Sequence, residues 1–297
     1  MPPGPTTTET HDWYLDLQGR LCARLEEVDG SAHFTHDRWE RPGGGGGDTR
    51  VLQGDGPVEK AAINVSAVWG ETPAGLGEQP VAEAERFHAA GISVIVHPRN
   101  PHAPAFHANL RHFVTDSSSW FGGGLDLTPC YLYPEDARHF HRVVFDACAR
   151  HSVADHVAWK QACDDYFRLP HRGEARGVGG IFFDHLTEAP AEVWAFQRDL
   201  GDHLVDAYVP ILERRMGTPY GPEEELWQLR RRGRYAEFNL VWDRGTRFGL
   251  ETGGRTESVL ASLPPRVRWD HGTVTTPGTA EAELVEVLTR PPRDWLA

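Results

Sequence analysis

The chain is predicted to fold as one domain that combines amphipathic helices with antiparallel strands, and three observations carry that prediction. Its 297 residues are 39% hydrophobic and 10% aromatic, with ten tryptophans, which suits a single packed globule. Tyr14, Leu17, Leu21, Leu25 and Val28 recur at helical spacing. The stretch from Ile92 to Val114, ISVIVHPRNPHAPAFHANLRHFV, alternates with period two on both sides of a loop. Ile92, Val94 and Val96 oppose Ser93, Ile95 and His97, and Phe106, Ala108 and Leu110 oppose His107, Asn109 and Arg111. Three prolines between Pro98 and Ala105 make the connection a loop. The two strands then run antiparallel and turn Ser93, His97, His107, Asn109 and Arg111 toward one cleft.

In chain order, residues 1–10 read as a disordered tail and residues 11–297 as the domain, which begins with the helix carrying the Tyr14 stripe. A loop ends in the glycine run Gly43 to Gly47; Val58 to Trp69 is strand-like, and Gly70 to Pro80 is a loop. Trp120 to Pro129, WFGGGLDLTP, places three glycines before Asp126, whose carboxylate reads equally as a turn cap or as a functional group. Pro134 with Glu135 and Asp136 starts a helix with the core stripe Ala137, Phe140, Val144 and Cys148; His141 lies beside the stripe and His139 off it. Another helix runs to about Phe167, before Leu169-Pro170, with His171 and Arg172 just beyond. Gly177 to Asp184 reads as a buried strand, Glu192 to Met216 as a helix broken or bent at Pro210, and Pro222 to Arg232 as a helix. The basic cluster RRRGR closing it reads as solvent-exposed and complementary to the helix dipole. Tyr235 to Trp242 alternates like a strand, Asp243-Arg244-Gly245 turns it, and Thr246 to Leu250 is its hairpin partner. Gly253-Gly254-Arg255 then leads into a short helix, Thr256 to Leu260, and offers backbone N–H groups and a guanidinium to an anion, although surface turns of this composition are also ordinary.

Composition narrows the function. A net charge of −13 disfavours nucleic acid as a general partner. The longest apolar runs are too short to cross a bilayer, and MPPGPTTTET has neither the basic nor the apolar region of an export signal, so a cytoplasmic location is expected. Cysteines at 22, 130, 148 and 163 form no C-x-x-C, which argues against an iron–sulfur cluster, a zinc knuckle or a disulfide framework. The glycine run lacks the Lys-Ser or Lys-Thr of a phosphate loop and the strand-to-helix setting of a dinucleotide site. No flavin, nicotinamide or haem is expected. An isolated histidine on a strand is more often structural than functional. The polar face around Ser93, His107, Asn109 and Arg111 nevertheless suits an acidic ligand, with arginine gripping a carboxylate and imidazole moving a proton near neutral pH.

Four long motifs, HPRNPHAPAFHANLR, WFGGGLDLTPCYLYPEDARHFHR, the run from Lys160 through YFRLPHRGEARGVGGIFFD, and RRGRYAEFNLVWDRGTRFGLETGGRTESVLASLPPRVRW, resemble the oxygen-dependent coproporphyrinogen III oxidases. The resemblance extends from the glycine run to about Trp269. It implies an α+β fold, with a large antiparallel sheet flanked by helices on both faces, assembled as a homodimer through a segment near residues 235–269. It also implies a reaction: molecular oxygen decarboxylates the ring A and B propionates of coproporphyrinogen III to vinyl groups, giving protoporphyrinogen IX, carbon dioxide and reduced oxygen in haem biosynthesis. Ser93, Asn109, Leu110, Arg111, Gly253, Gly254 and Arg255 match the family's substrate contacts, and His107 its proton donor. His97, His107, His141 and His171 match ligands of a divalent metal such as manganese. From the residues themselves Asp126 is assigned the pyrrole N–H proton, and a cofactor-free oxidase stands beside the metal account. Asp48-Thr49-Arg50 and Val68-Trp69-Gly70 depart from the family pattern, outside the mapped site. A radical enzyme for the same decarboxylation would need a cysteine cluster motif that is missing here; a metallohydrolase or a porphyrin carrier stands as the competing reading.

Overall fold

The computed structural model describes residues 4–71, 86–251 and 254–297. Helix α1 spans Thr7–Asp29 and begins inside the segment expected to be disordered. Thr6 and Glu9 form a capping box, the Thr6 side chain accepting from Glu9 N–H and the Glu9 carboxylate accepting from Thr6 N–H at 2.7 Å. Two orphan donors are satisfied at once, so the helix starts there and not at residue 11.

The centre is a seven-stranded antiparallel sheet. Its first six strands follow in sequence: β1 (Thr35–Glu40), β2 (Gly45–Gln53), β3 (Val58–Glu71), β4 (Arg86–Pro98), β5 (Ala105–Thr115) and β6 (Ser119–Thr128). After helices α2 (Pro134–Ala149) and α3 (His156–Tyr166), the short strands β7 (Arg168–Leu169) and β8 (Glu174–Ala175) pair with each other. Strand β9 (Gly180–Leu186) then returns to pair with β6 at the sheet edge. The β4–loop–β5 hairpin stands as its alternation predicts. The loop expected at Gly70 to Pro80 lies, from residue 72, outside the described residues.

Each face of the sheet takes a different cover. Ile63, Val65, Ile92, Val94, Phe106, Ala108, Leu110, Leu125 and Ile181 point to a core closed by α1, α2, α4 (Pro190–Asp202) and α5 (Leu204–Arg215). The opposite face lies under α6 (Pro222–Glu237), a π-helical turn (Phe238–Trp242), α7 (Arg244–Glu251) and α8 (Thr256–Leu260). Helix α9 (Ala280–Thr289) seats Leu284 and Leu288 against Tyr131 and Trp227.

Three sequence expectations are corrected. The expected strand at Tyr235 to Trp242 is helix: alternation of residue type there is not alternation of burial. Tyr235, Ala236, Phe238 and Asn239 are buried at helical spacing, while Leu240, Val241 and Trp242 stay exposed. Its supposed hairpin partner is α7. The break near Pro210 lies instead at His203, between α4 and α5; Pro210 sits inside α5, and the Asp206 carbonyl that it leaves without a helical donor accepts from His139 Nε2 at 2.8 Å. Two arginines of the RRRGR cluster are buried rather than solvated. Arg232 bonds Glu59 at 2.6 Å and Arg231 bonds Glu174 at 3.1 Å, with both arginines 5% exposed.

His112 ties the core-side layers together. It lies on β5, bonded to Thr10 Oγ1 of α1 at 3.2 Å and to Ser119 Oγ of β6 at 2.9 Å. Burial pushes its pKa down to about 4, so the folded chain holds it neutral. An unfolded histidine titrates near ~6.5, so this contribution is complete above that pH and is lost as pH falls toward 4. Unfolding free energies from urea titrations should fall through that window for the wild type. The His112→Asn variant should show a shallower slope, by on the order of 1 kcal/mol per pH unit.

Candidate functional site

Directly opposed residues on neighbouring antiparallel strands share a face, and the register lays the site out in rows. Under the helical roof, one row runs Val51, Ala62, Ile95, His107, Asp126 and Gly180. The next runs Thr49, Asn64, Ser93, Asn109, Gly124 and Phe182, and a third runs Gly47, Ser66, Gly91, Arg111 and Gly122. Ser93, His107, Asn109 and Arg111 therefore do share one face, as the alternation predicts. The third row is almost free of side chains, leaving a flat floor with one cation on it. The glycine run contributes its far end: a Cβ on Gly47 would lie 2.6 Å from the Trp39 ring, so the indole lies over that backbone and donates to Thr49 Oγ1 at 3.2 Å.

The roof is held by the same polar face. Asn64 Nδ2 donates to the Ser258 carbonyl at 3.0 Å, Lys60 Nζ to the Leu263 carbonyl at 2.8 Å, and His97 Nε2 to the Ser262 carbonyl at 2.9 Å. Where roof meets floor, Asp126 is buried at the bottom of a charged cluster. Its Oδ1 accepts from His107 Nδ1 at 2.9 Å and from Arg176 Nη2 at 2.6 Å. Arg176 and Asp126 have side chains only 2% and 1% exposed. The guanidinium lies 4.1 Å from the Phe167 ring and 4.7 Å from those of Tyr235 and Phe238, and its Nη1 donates to Asn239 Oδ1 at 2.9 Å.

Burial alone would push the Asp126 carboxyl up, but the Arg176 charge and the His107 bond outweigh it and hold the group below the usual carboxylate range. An ionised carboxylate only accepts, so His107 donates through Nδ1; in the neutral ring Nε2 is then the acceptor. The His107 side chain is 21% exposed, against 1% for Asp126, so the imidazole is the member of the pair that reaches solvent. At the other end of the floor, Arg111 Nη2 pairs with Asp184 Oδ2 at 2.8 Å.

A family sequence profile described as coproporphyrinogen III oxidase matches residues 9–295. The chain belongs to the coproporphyrinogen III oxidase family. As a member of that family it is an oxygen-dependent oxidoreductase that carries out oxidative decarboxylation in haem biosynthesis.

For this coproporphyrinogen oxidase, some site expectations need revision. Leu110 is 1% exposed and faces the core, so its side chain does not lie on the polar face with Asn109 and Arg111. Gly253 lies outside the described residues; Gly254 N–H donates to the Gly249 carbonyl at 2.8 Å, and Arg255 is paired with Asp37 of β1. The presumed anion site is thus partly occupied by the protein's own acid. The four histidines do not assemble a metal site. His141 donates to the Val178 carbonyl at 3.0 Å on the core side, and His171 bonds Glu237 at 2.8 Å and Trp242 at 3.0 Å. Burial pushes His97 and His141 down to about 3, so both are neutral. Among the described residues no group of three or more His, Cys, Asp or Glu side chains is arranged to hold a metal, although His97 Nδ1 is buried without a hydrogen-bond partner. The residues do not fit the metal, and no step is routed through one.

Sequence reasoning missed Arg176 and Asp184. Arg176 stands between Ala175 and Gly177 in a glycine-rich stretch, where an arginine reads as an ordinary surface residue. Its one sequence signal is its place just before the apolar run Ile181-Phe182-Phe183.

Proposed function

We propose that coproporphyrinogen III lies with its macrocycle over the glycine-lined floor, one propionate on Arg111 and another near His107. Four residues of strand separate Arg111 from His107, about 13 Å of rise, comparable to the span of a tetrapyrrole with its side chains. Ser93 and Asn109 lie between them and offer hydrogen bonds. The observation that carries this reading is the register itself, which puts a carboxylate-binding cation and a carboxylate-oriented imidazole at opposite ends of one flat, polar surface.

Each propionate becomes vinyl by losing carbon dioxide, one proton from the carbon next to the ring, and two electrons. Oxygen takes the two electrons and two protons, one the proton just released and the other from solvent. The reduced macrocycle is electron-rich and supplies the electrons, so the protein's task is to orient the substrate, exclude water and move protons. His107 Nε2 accepts the proton at the reacting propionate or returns it to reduced oxygen. Asp126, buried beneath His107, acts through the imidazole and not on the pyrrole N–H groups; this replaces the role that the sequence alone suggests. Arg176 keeps Asp126 ionised throughout.

We further propose a homodimer. Leu240, Val241 and Trp242 on the π-helical turn and the nearby Trp269 are 41–53% exposed, and Trp242 and Trp269 are joined through His171 and Glu237. Such a patch suits contact with a second copy. No helix of the described residues is long and apolar enough to cross a membrane, and the four cysteines are free and buried, which supports a reducing, cytoplasmic setting.

Incubation with coproporphyrinogen III under air should give products lighter by carbon dioxide plus two hydrogens, once and then twice, with no conversion under strict anoxia. Oxygen-independent conversion would reject the reading. His107→Ala should retain the fold and lose roughly a hundred-fold or more in kcat. Leu240→Asp combined with Val241→Asp should shift sedimentation from dimer to monomer with the circular dichroism spectrum unchanged, and an unchanged dimer would place the interface elsewhere.

A further inference from the structure

Arg111 does not stand alone on the floor. Its guanidinium reaches across β6 to Asp184 of β9, Nη2 to Oδ2 at 2.8 Å, passing over Gly122 of the intervening strand. Gly122 permits this crossing: a Cβ there would lie 2.5 Å from Asp184 Oδ1 and 2.7 Å from Arg111 Nε. The acid is itself held. His185 adopts φ 53°, a backbone conformation uncommon for a residue with a side chain, and so donates its N–H to Asp184 Oδ1 at 2.9 Å while its ring stacks on Trp120. From the core side, the fully buried Gln197 donates to the carbonyls of both Arg111 and Gly122, at 3.1 and 2.9 Å, and accepts from Tyr14 Oη at 2.9 Å. Backbone and guanidinium are thus fixed from opposite faces of the sheet at one point.

We propose that Asp184 is the positioning residue for Arg111, setting the guanidinium across Gly122 so that its Nη1 side points along β5 toward Asn109 and over the glycine floor, where it meets a carboxylate of the substrate. This rests on the reading of Arg111 as the propionate clamp. Two effects of Asp184 oppose each other. Its charge competes with an incoming carboxylate, whereas its bond removes the rotamer freedom that a long arginine side chain would otherwise lose on binding. The Arg111 side chain is 37% exposed, so water screens the competition, and the ordering effect dominates.

The test pairs steady-state kinetics with fluorescence titration by coproporphyrin III, an oxidised probe that binds without turnover. Asp184→Asn should raise KM and the coproporphyrin dissociation constant about ten-fold, with kcat within about two-fold. Asp184→Glu, which keeps the charge, should recover part of the affinity, and in an Arg111→Met background Asp184→Asn should add nothing further. A KM unchanged or lowered by Asp184→Asn while Arg111→Met alone raises it would overturn this inference and leave the clamp standing. Unchanged KM and probe affinity in Arg111→Met would overturn both.

Discussion

The ion pair between Arg176 and Asp126 is the constraint on which the rest of the site depends. Two charges with almost no solvent access are costly to desolvate, and removing either partner from such a pair destabilises a protein by roughly 3–5 kcal/mol. The fold retains the pair because every side of it is served. The carboxylate takes bonds from Arg176 and His107, and the guanidinium is enclosed by Phe167, Tyr235 and Phe238 and bonded to Asn239. Those partners come from β5, β6, the end of α3, α6 and the π-helical turn, so one buried charge draws the roof down onto the floor.

That requirement gives a physical reason for the irregular backbone above the site. A regular continuation of α6 would advance each residue by one α-helical step, whereas the wider turn at Phe238–Trp242 places Asn239 toward Arg176 and leaves Leu240, Val241 and Trp242 outward. The same turn therefore completes the buried cluster and exposes the apolar patch. On the floor, glycines at 91 and 124 carry no side chain, those at 47 and 122 make room for the Trp39 indole and for the Arg111–Asp184 pair, and polar residues between them hold the roof or remain for a ligand.

Much of this was legible in the sequence, and the failures have identifiable causes. Period-two alternation located β4 and β5 and put Ser93, His107, Asn109 and Arg111 on one face, because strand geometry makes that inference local. The capping signal Thr6-x-x-Glu9 lies within the segment read as a disordered tail. Tyr235 to Trp242 misled because its residue types alternate while its burial is decided by Arg176, about 60 residues earlier. Arg231 and Arg232 read as a solvated helix end because Glu174 and Glu59, the acids that bury them, lie far away in the chain. The four histidines matched a ligand set by position, but their partners are carbonyls and acids in separate parts of the fold. Asp184 was invisible for a similar reason: nothing near it in sequence indicates that it crosses a glycine to reach Arg111.

The central claim is that a buried, ionised Asp126 controls the imidazole that handles the proton. Asp126→Asn preserves the shape and much of the hydrogen bonding while removing the charge, so its turnover under air, measured on protein shown by circular dichroism to be folded, tests the claim most directly. The account predicts that kcat falls roughly a hundred-fold or more while coproporphyrin affinity stays within a few-fold of wild type. A folded Asp126→Asn enzyme with near wild-type kcat would contradict it.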